Sequence, residues 1–444
     1  MKISILELGA KGGTAAPQTE YIQSAIDTCF TSGGGTVVIP RGKYVIGSIR
    51  LRSGVTLYLE SGAELVGTRI VDNYDLLLKE DSLEPIPESF LPEVKTARSE
   101  QSHRHWHYAL IHIYNAHDVA IIGEPGSTIN GSNVYDEIGE ENYRGPHAIS
   151  VLRSQNITMK GYTVVDSSNW AHNCWCCKNL HFEDITVLAG HDGIDFFGSD
   201  NVTVKNCKIY SGDDCIAGYD NQYVLIDGCI INSSCSGFRF SGTHVIIQNC
   251  EILGPGKYIH RDSLSIEEKI QGKNQDYTKS NSYRNNMLGL MTYYADNRLP
   301  IREYASDIVV KDCVVKDCDR FLLLKYSKNE RWQCNKSLVE ITFKNIKAEN
   351  VKIPITVKGD AEHPISLYVE DCDVMFHEDY TNQPLVMCAN YERVSLKGIN
   401  SNYSGEALVK SFGQRGEITV EGGNIEGKLS VAEGDLDSFD ITSI

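Results

Sequence analysis

One repeat constrains this chain more than any other feature. Short β-prone runs begin at Ile157, Leu180, Val202, Val224 and Val245, so successive starts lie 23, 22, 22 and 21 residues apart. Related runs begin at Val55, Val119, Ile308, Val339, Leu367, Val394 and Ile418. Leucine-rich repeats share the period, but their recurring Leu-x-x-Leu-x-Leu frame is absent. Several short strands per repeat of just over twenty residues predict an all-β parallel β-helix. Each coil then pairs with the next at about 4.8 Å, and residues one repeat apart in sequence become neighbours in space. A solenoid also accommodates 444 residues without the two or three domains that length alone suggests, because its core grows by stacking.

Residues 1–45 read as an N-terminal cap. Ile22, Ala25 and Ile26 fall at helical spacing, Thr19 is placed as N-cap, and Ser32-Gly33-Gly34-Gly35 stops the helix, giving a helix over 19–31. The coils are expected over 46–444, with loop insertions at about 68–108 and 255–300. Fourteen cysteines do not imply a disulfide scaffold. Cys207, Cys229, Cys250, Cys313 and Cys372 share one slot of the repeat, which suits a ladder of buried thiols.

Net charge is −17 at neutral pH, which disfavours nucleic acid and anionic membrane as partners. The apolar run at the N-terminus is too short for a signal peptide and is broken by Glu7, so a cytoplasmic protein is expected. The partner expected is an oligosaccharide or polysaccharide; oligomeric state is left open.

Two acidic motifs draw attention. Asp192 lies in His191-Asp192-Gly193-Ile194-Asp195, and 21 residues later comes Ser211-Gly212-Asp213-Asp214-Cys215. One coil of offset brings these carboxylates to one patch. Like charges there raise at least one pKa, which suits a general acid beside a carboxylate that activates water. A solvated turn and a calcium site remain open on the residues alone.

Residues 1–250 resemble a polygalacturonase-like glycoside hydrolase of family 28, as a divergent member. Leu8 to Gly67 approaches the family's opening pattern. Ser168-Asn169-Trp170-Ala171-His172 resembles its Ser-Pro-x-Trp-x-x-His region, Asp192-Gly193-Ile194-Asp195 its Asn-Asp-Gly-Ile-Asp, and Gly212-Asp213-Asp214-Cys215-Ile216-Ala217 its Gly-Asp-Asp-Cys-Ile-Ala. The resemblance implies a single-stranded right-handed parallel β-helix and inverting, single-displacement hydrolysis of pectin-type or related oligosaccharides. It implies Asp213 as general acid, Asp192 and Asp214 as the groups that position and deprotonate water, and no cofactor.

The departures fall on residues that read the substrate. His191 precedes Asp192 where the family has Asn, Ser236 stands where it has His, and Tyr219 lies where it has Lys. The family's Arg-Ile-Lys is absent, and Tyr258-Ile259-His260-Arg261 is nearest to it, ahead of Leu323-Leu324-Lys325. Arg239 is expected to supply a cation for a uronate carboxylate, or else to pair with Asp213 or Asp195. The substrate-binding candidates are therefore Arg239, His191, Tyr219, Trp170, His172, His260 and Arg261, with Trp175 a further ring able to stack on sugar. The changed readers suggest a sugar other than galacturonate, and the long loops suggest exo-action. His103, His105 and His107 alternate, so on a strand they would share a face, but no metal site is assigned to them. Two further readings are a calcium-dependent β-helix lyase or epimerase and a non-catalytic glycan-binding β-helix.

Overall fold

The computed structural model describes residues 1–76, 83–84, 99–272, 287–327, 332–413 and 416–439. The chain forms two compact units, Met1–Asp213 with Tyr258–Tyr283, and Asp214–Lys257 with Arg284–Ile444. Each is built of parallel strands stacked coil on coil.

In the first unit, Gly35–Ile39, Val55–Leu59, His117–Gly123, Gln155–Lys160, Lys178–Glu183 and Asp200–Lys205 pair in sequence order. Their register stacks Val37, Leu57, Ile121, Met159, Phe182 and Val204 into one column, and every member is fully buried. Strand alternation sends the intervening residues outward. The second unit repeats the device. Ile226, Ile247, Val310, Phe343, Val369 and Leu396 form its column. Burying one such side chain contributes roughly 1.5–3 kcal/mol, and the column makes each coil depend on its neighbours.

The expected boundary at residue 45 does not mark the start of the ladder. Lys2–Ser4 pairs with Gly35–Ile39, and Gly42–Ile46 pairs with Ala63–Gly67, so strands of the first unit precede it. Helix α1 (Thr19–Thr31) forms and buries Ile22, Ala25, Ile26 and Cys29. Thr19 is its first residue and Gln18 its N-cap; the Thr19 hydroxyl instead accepts from Gly47 N–H at 2.9 Å. The expected insertion at 255–300 ends earlier, since Met287–Tyr293 is a ladder strand paired with Ser236–Phe240. The insertion at 68–108 is described only in part. It holds helix α2 (Glu100–Trp106), which overturns the strand geometry proposed for the three histidines. His105 Nδ1 meets Asp136 at 2.7 Å, and His107 is buried at the helix end. Among the described residues, no helix is long and apolar enough to cross a membrane.

Cys207, Cys229, Cys250, Cys313 and Cys372 are buried thiols. Within the second unit Cys250 shares hydrogen bonds with Cys229 and Cys313, and the Cys229 bond together with burial pushes its thiol up to about 12.

Candidate active site

Asp213 and Asp214 are consecutive in the chain but belong to different units, and their surroundings differ. Asp213 is partly open, with its side chain 16% exposed. His260 Nε2 lies 2.8 Å from Asp213 Oδ2, and the Arg144 guanidinium lies 3.7 Å from the same oxygen. The His260 tautomer follows from its other nitrogen. Nδ1 accepts the Asp262 backbone N–H at 3.1 Å, so Nε2 carries the proton and donates to Asp213. Burial opposes a charge on His260, but the Asp213 carboxylate outweighs it and the net shift is upward.

Two glycines admit this partner. A Cβ on Gly190 would lie 2.4 Å from Arg261 Cγ, and one on Gly212 would lie 2.4 Å from the Ile259 carbonyl oxygen. The segment Ile259–Arg261 therefore rests on bare backbone directly before each acidic motif, tied by Arg261 N–H to the Gly190 carbonyl at 3.2 Å. Helix α3 (Ile266–Gln271) follows the segment, closed at its start by a Ser265–Glu268 capping box. Its Lys269 reaches back, with Nζ 4.0 Å from the Tyr143 ring centroid.

Around Asp213 the first unit collects positive charge. Arg261 is buried, and desolvation together with Arg144 and Arg69 lowers its pKa to about 10. Its Nε has no hydrogen-bond partner among the described residues. His191 is fully buried between the Tyr143 and His260 rings, at centroid distances of 5.7 and 6.1 Å. Neither His191 nitrogen has a hydrogen-bond partner among the described residues, and burial with the Arg144 and Arg261 charges holds it neutral, well below the usual imidazole range. Asp192 is also buried, and its carbonyl accepts Ala171 N–H at 2.9 Å.

In the second unit Asp214 is held tightly, with its side chain 1% exposed. Oδ1 accepts the Ser236 backbone N–H at 3.1 Å, and Oδ2 faces Arg239 Nη1 at 3.4 Å. The Arg239 guanidinium lies over the Tyr294 and Trp332 rings, 4.4 and 4.8 Å from their centroids. Tyr294 is in turn fixed by its hydroxyl to Asp296 at 3.1 Å. Arg239 thus makes an ion pair with Asp214, a partner that the sequence reading did not name.

Two expected substrate contacts are corrected. His172 is turned into the core, in register with Ile149 and Ile194, with Nε2 3.0 Å from the Tyr162 hydroxyl. Tyr219 is fully buried and donates to Asp296 at 2.6 Å. Trp170 is buried against Trp106, His147 and Phe197, and Trp175 stacks on Phe197 at 4.2 Å. Arg144 was missed, because nothing in its local sequence ties it to residues a coil or more away.

The comparisons with known proteins bear on this arrangement. Residues 71–244 match the model of glycosyl hydrolases family 28, and residues 192–350 match that of the right-handed β-helix region. A probable polygalacturonase of Vitis vinifera is 26% identical over 225 residues, covering 48% of this chain and 43% of its own length. The chain thus spans less than half of that relative. Among solved structures, a hyperthermoactive exopolygalacturonase from Thermotoga maritima superposes with a TM-score of 0.60 at 13% identity, over 95% of this chain and 92% of its own. The surface protein and adhesin PfbA of Streptococcus pneumoniae superposes at 0.55 and 15% identity, over 98% of this chain and 100% of its own. At those identities the superpositions speak for the fold alone, which is a right-handed parallel β-helix. The matched stretch includes Asp192, Asp213 and Asp214, and over it the chain is similar to polygalacturonase-like proteins of glycosyl hydrolases family 28.

Proposed function

We propose that the protein hydrolyses O-glycosidic bonds of pectin-type oligosaccharides by inverting, single-displacement chemistry. The observation that carries this is the unequal treatment of two adjacent carboxylates. Asp213 sits partly open beside a hydrogen-bond donor, His260. Asp214 is buried against a guanidinium that favours its ionised form. His260 Nε2–H and Arg144 also favour the ionised form of Asp213, so its acid role is taken from the motif resemblance, and its greater exposure is what lets it exchange a proton with substrate. In this reading Asp213 protonates the leaving oxygen, and Asp214 with Asp192 orients and deprotonates water on the opposite face. After transfer, His260 Nε2–H and Arg144 stabilise the new Asp213 carboxylate. No step calls for a cofactor.

The sugar would be acidic. Arg144 and Arg261 offer buried positive charge near Asp213, within a chain of net charge −17. This shifts the carboxylate-reading role from Arg239, which Asp214 engages, to the first unit. Exo-action is proposed from the long insertion at 68–108, which carries α2 and packs its Trp106 on His147 and Trp170. The test is hydrolysis of polygalacturonate and of a panel of neutral pectic oligosaccharides, with proton NMR of the first-formed anomer. Monosaccharide release from an acidic substrate with inverted configuration is expected. A retained anomer, or an unsaturated product absorbing in the ultraviolet, sinks the proposal.

Arg239 separates positioning from substrate reading. Arg239→Lys keeps the charge but loses the planar stack on Tyr294 and Trp332. With its partner loosened, Asp214 binds a proton more readily, and the acidic limb of the kcat profile is expected to rise by about one pH unit. KM should change little. A large rise in KM with the limb unmoved would return Arg239 to the substrate.

A further inference from the structure

Asp213 draws its donor from outside the repeat, and the strap that brings it is held at two places in the first unit. The first is the glycine seat, Gly190 and Gly212 beneath Ile259–Arg261. From there the strap runs back along the stack. The strands Ala63–Gly67, Thr128–Asn130, Thr163–Val165, Thr186–Ala189 and Lys208–Ser211 pair in that order. The turns that follow them hold Arg69, Ser132–Asn133, Asp166, Gly190 and Gly212 in turn. Ile259 lies on Gly212 and Arg261 on Gly190. Gly272 has reached Ser132–Asn133, where a Cβ would lie 3.1 Å from both carbonyl oxygens.

The second hold is Arg69. Helix α3 has six residues, too few to stand alone in water, and its last carbonyls have no partner within it. Arg69 Nη2 donates to the Ile270 carbonyl at 2.6 Å, and Nη1 to the Gln271 carbonyl at 2.9 Å. A cation at a helix C-terminus is favourable besides. Gly272 ends the helix with a φ of 60°, and a Cβ there would lie 2.8 Å from Arg69 Nη2. Arg69 itself stands on a fixed base. Its neighbour Thr68 is buried, with its carbonyl accepting the Tyr74 hydroxyl at 2.6 Å and its hydroxyl accepting Ile70 N–H at 3.3 Å. Within the strap, Lys269 Nζ donates to Asp262 O and Oδ1, both at 3.2 Å, which joins α3 to the residues just after His260 and Arg261.

We propose that Arg69 is a positioning residue, which holds His260 and Arg261 at Asp213 by latching the end of α3. Its backbone lies four strand spacings from the coil of Asp213, about 19 Å, so its effect runs through the strap. At the seats the strap meets bare backbone and is tied by the Arg261 N–H bond to Gly190, which leaves it free to pivot. The Arg69 bonds at the far end remove that freedom. His260 registers the result. Burial opposes a charge on its ring and Asp213 favours one, while Arg144 opposes and Glu141 favours it. The neutral His191 ring completes its surroundings at 6.1 Å.

The test uses the full chain carrying Arg69→Ala. Arg69 is exposed, so the variant should fold. The His260 ring is followed by nitrogen NMR from pH 5 to 9, its signal assigned by its absence in His260→Gln. Arg69→Ala should move the His260 titration down toward the usual imidazole value, as the Asp213 contact loosens, and Arg69→Lys should restore part of the shift. Loss of a cation alone would move His260 the other way, so the sign separates positioning from simple electrostatics. A second arm rests on the hydrolysis proposed above. There Arg69→Ala should lower kcat at least threefold in the wild-type background and no further in His260→Gln. An inactive wild type would sink that hydrolysis and leave the NMR arm to decide. The inference is overturned if His260 titrates in Arg69→Ala as in the wild type, or moves upward. It is equally overturned if Arg69→Ala lowers kcat as much without His260 as with it.

Discussion

Asp213→Asn is expected to lower turnover by about 10²–10⁴-fold, the usual contribution of a positioned general acid or base. The substitution is nearly isosteric, and the Asn carbonyl can still accept His260 Nε2–H, so the packing of Ile259–Arg261 on Gly190 and Gly212 has no reason to change. Thermal unfolding should shift little, and KM should stay within a few-fold, because the lost function is proton delivery. Asp214→Asn should also abolish activity, but for a mixed reason. It leaves Arg239 beside a neutral amide in a nearly dry setting, and breaking a buried pair is destabilising. Steady-state kinetics together with thermal unfolding on both variants separates the two effects. A loss under about tenfold at Asp213 with the protein folded would remove it from the chemistry.

Acid should unfold the first unit steeply. Burial depresses the pKa of His112 to about 3, of His147 to about 3 and of His172 to about 4. In the unfolded chain these groups titrate near 6.5. The sign is then fixed. Above pH 6.5 all three are neutral in both states and their burial is fully favourable. As pH falls below 6.5 the unfolded chain binds protons that the native unit refuses, and stability is lost until the folded pKa values are reached. Asp166 works the other way, since burial raises it to about 6 and the native state then binds a proton first. His191, also held neutral by burial, adds a fourth proton that the native unit refuses. Four protons favouring the unfolded state against one favouring the native leave a difference of about three, and stability should fall by about 4 kcal/mol per pH unit near pH 5. Urea unfolding at half-unit steps between pH 7 and 4 measures that slope. His147→Asn should reduce it by about 1.4 kcal/mol per unit. A flat profile would mean that the buried imidazoles accept protons through solvent access.

The repeat was legible because a β-helix writes its geometry into sequence. A buried column such as Met159, Phe182 and Val204 requires an apolar residue at a fixed slot in every coil. The acidic motifs were legible for the same reason, being one coil apart. Side-chain direction was harder to read. Along His172–Trp175 every residue is buried on both faces, so alternation carries no signal and His172 could not be told from an outward residue. The run His103 to His107 alternates, but alternate residues also occur in helices, and the structure made a helix of it. His260 was named only as a substrate contact. Its contact with Asp213 spans 47 residues and no repeat period predicts it. A signal for it existed in Gly190 and Gly212, which stand directly before the two acidic motifs and mark where another segment comes close.

The Asp262 N–H at His260 Nδ1 has one more consequence. A second proton on that ring could enter only by pushing an N–H donor aside. The Asp213 carboxylate nevertheless favours a charged ring, so the protonation of Nδ1 and the Asp262 N–H contact compete, and the outcome follows the ionisation of Asp213. His260 is thereby a resident reporter. Its ring nitrogens encode the charge state of the carboxylate in the resting protein, before any sugar arrives.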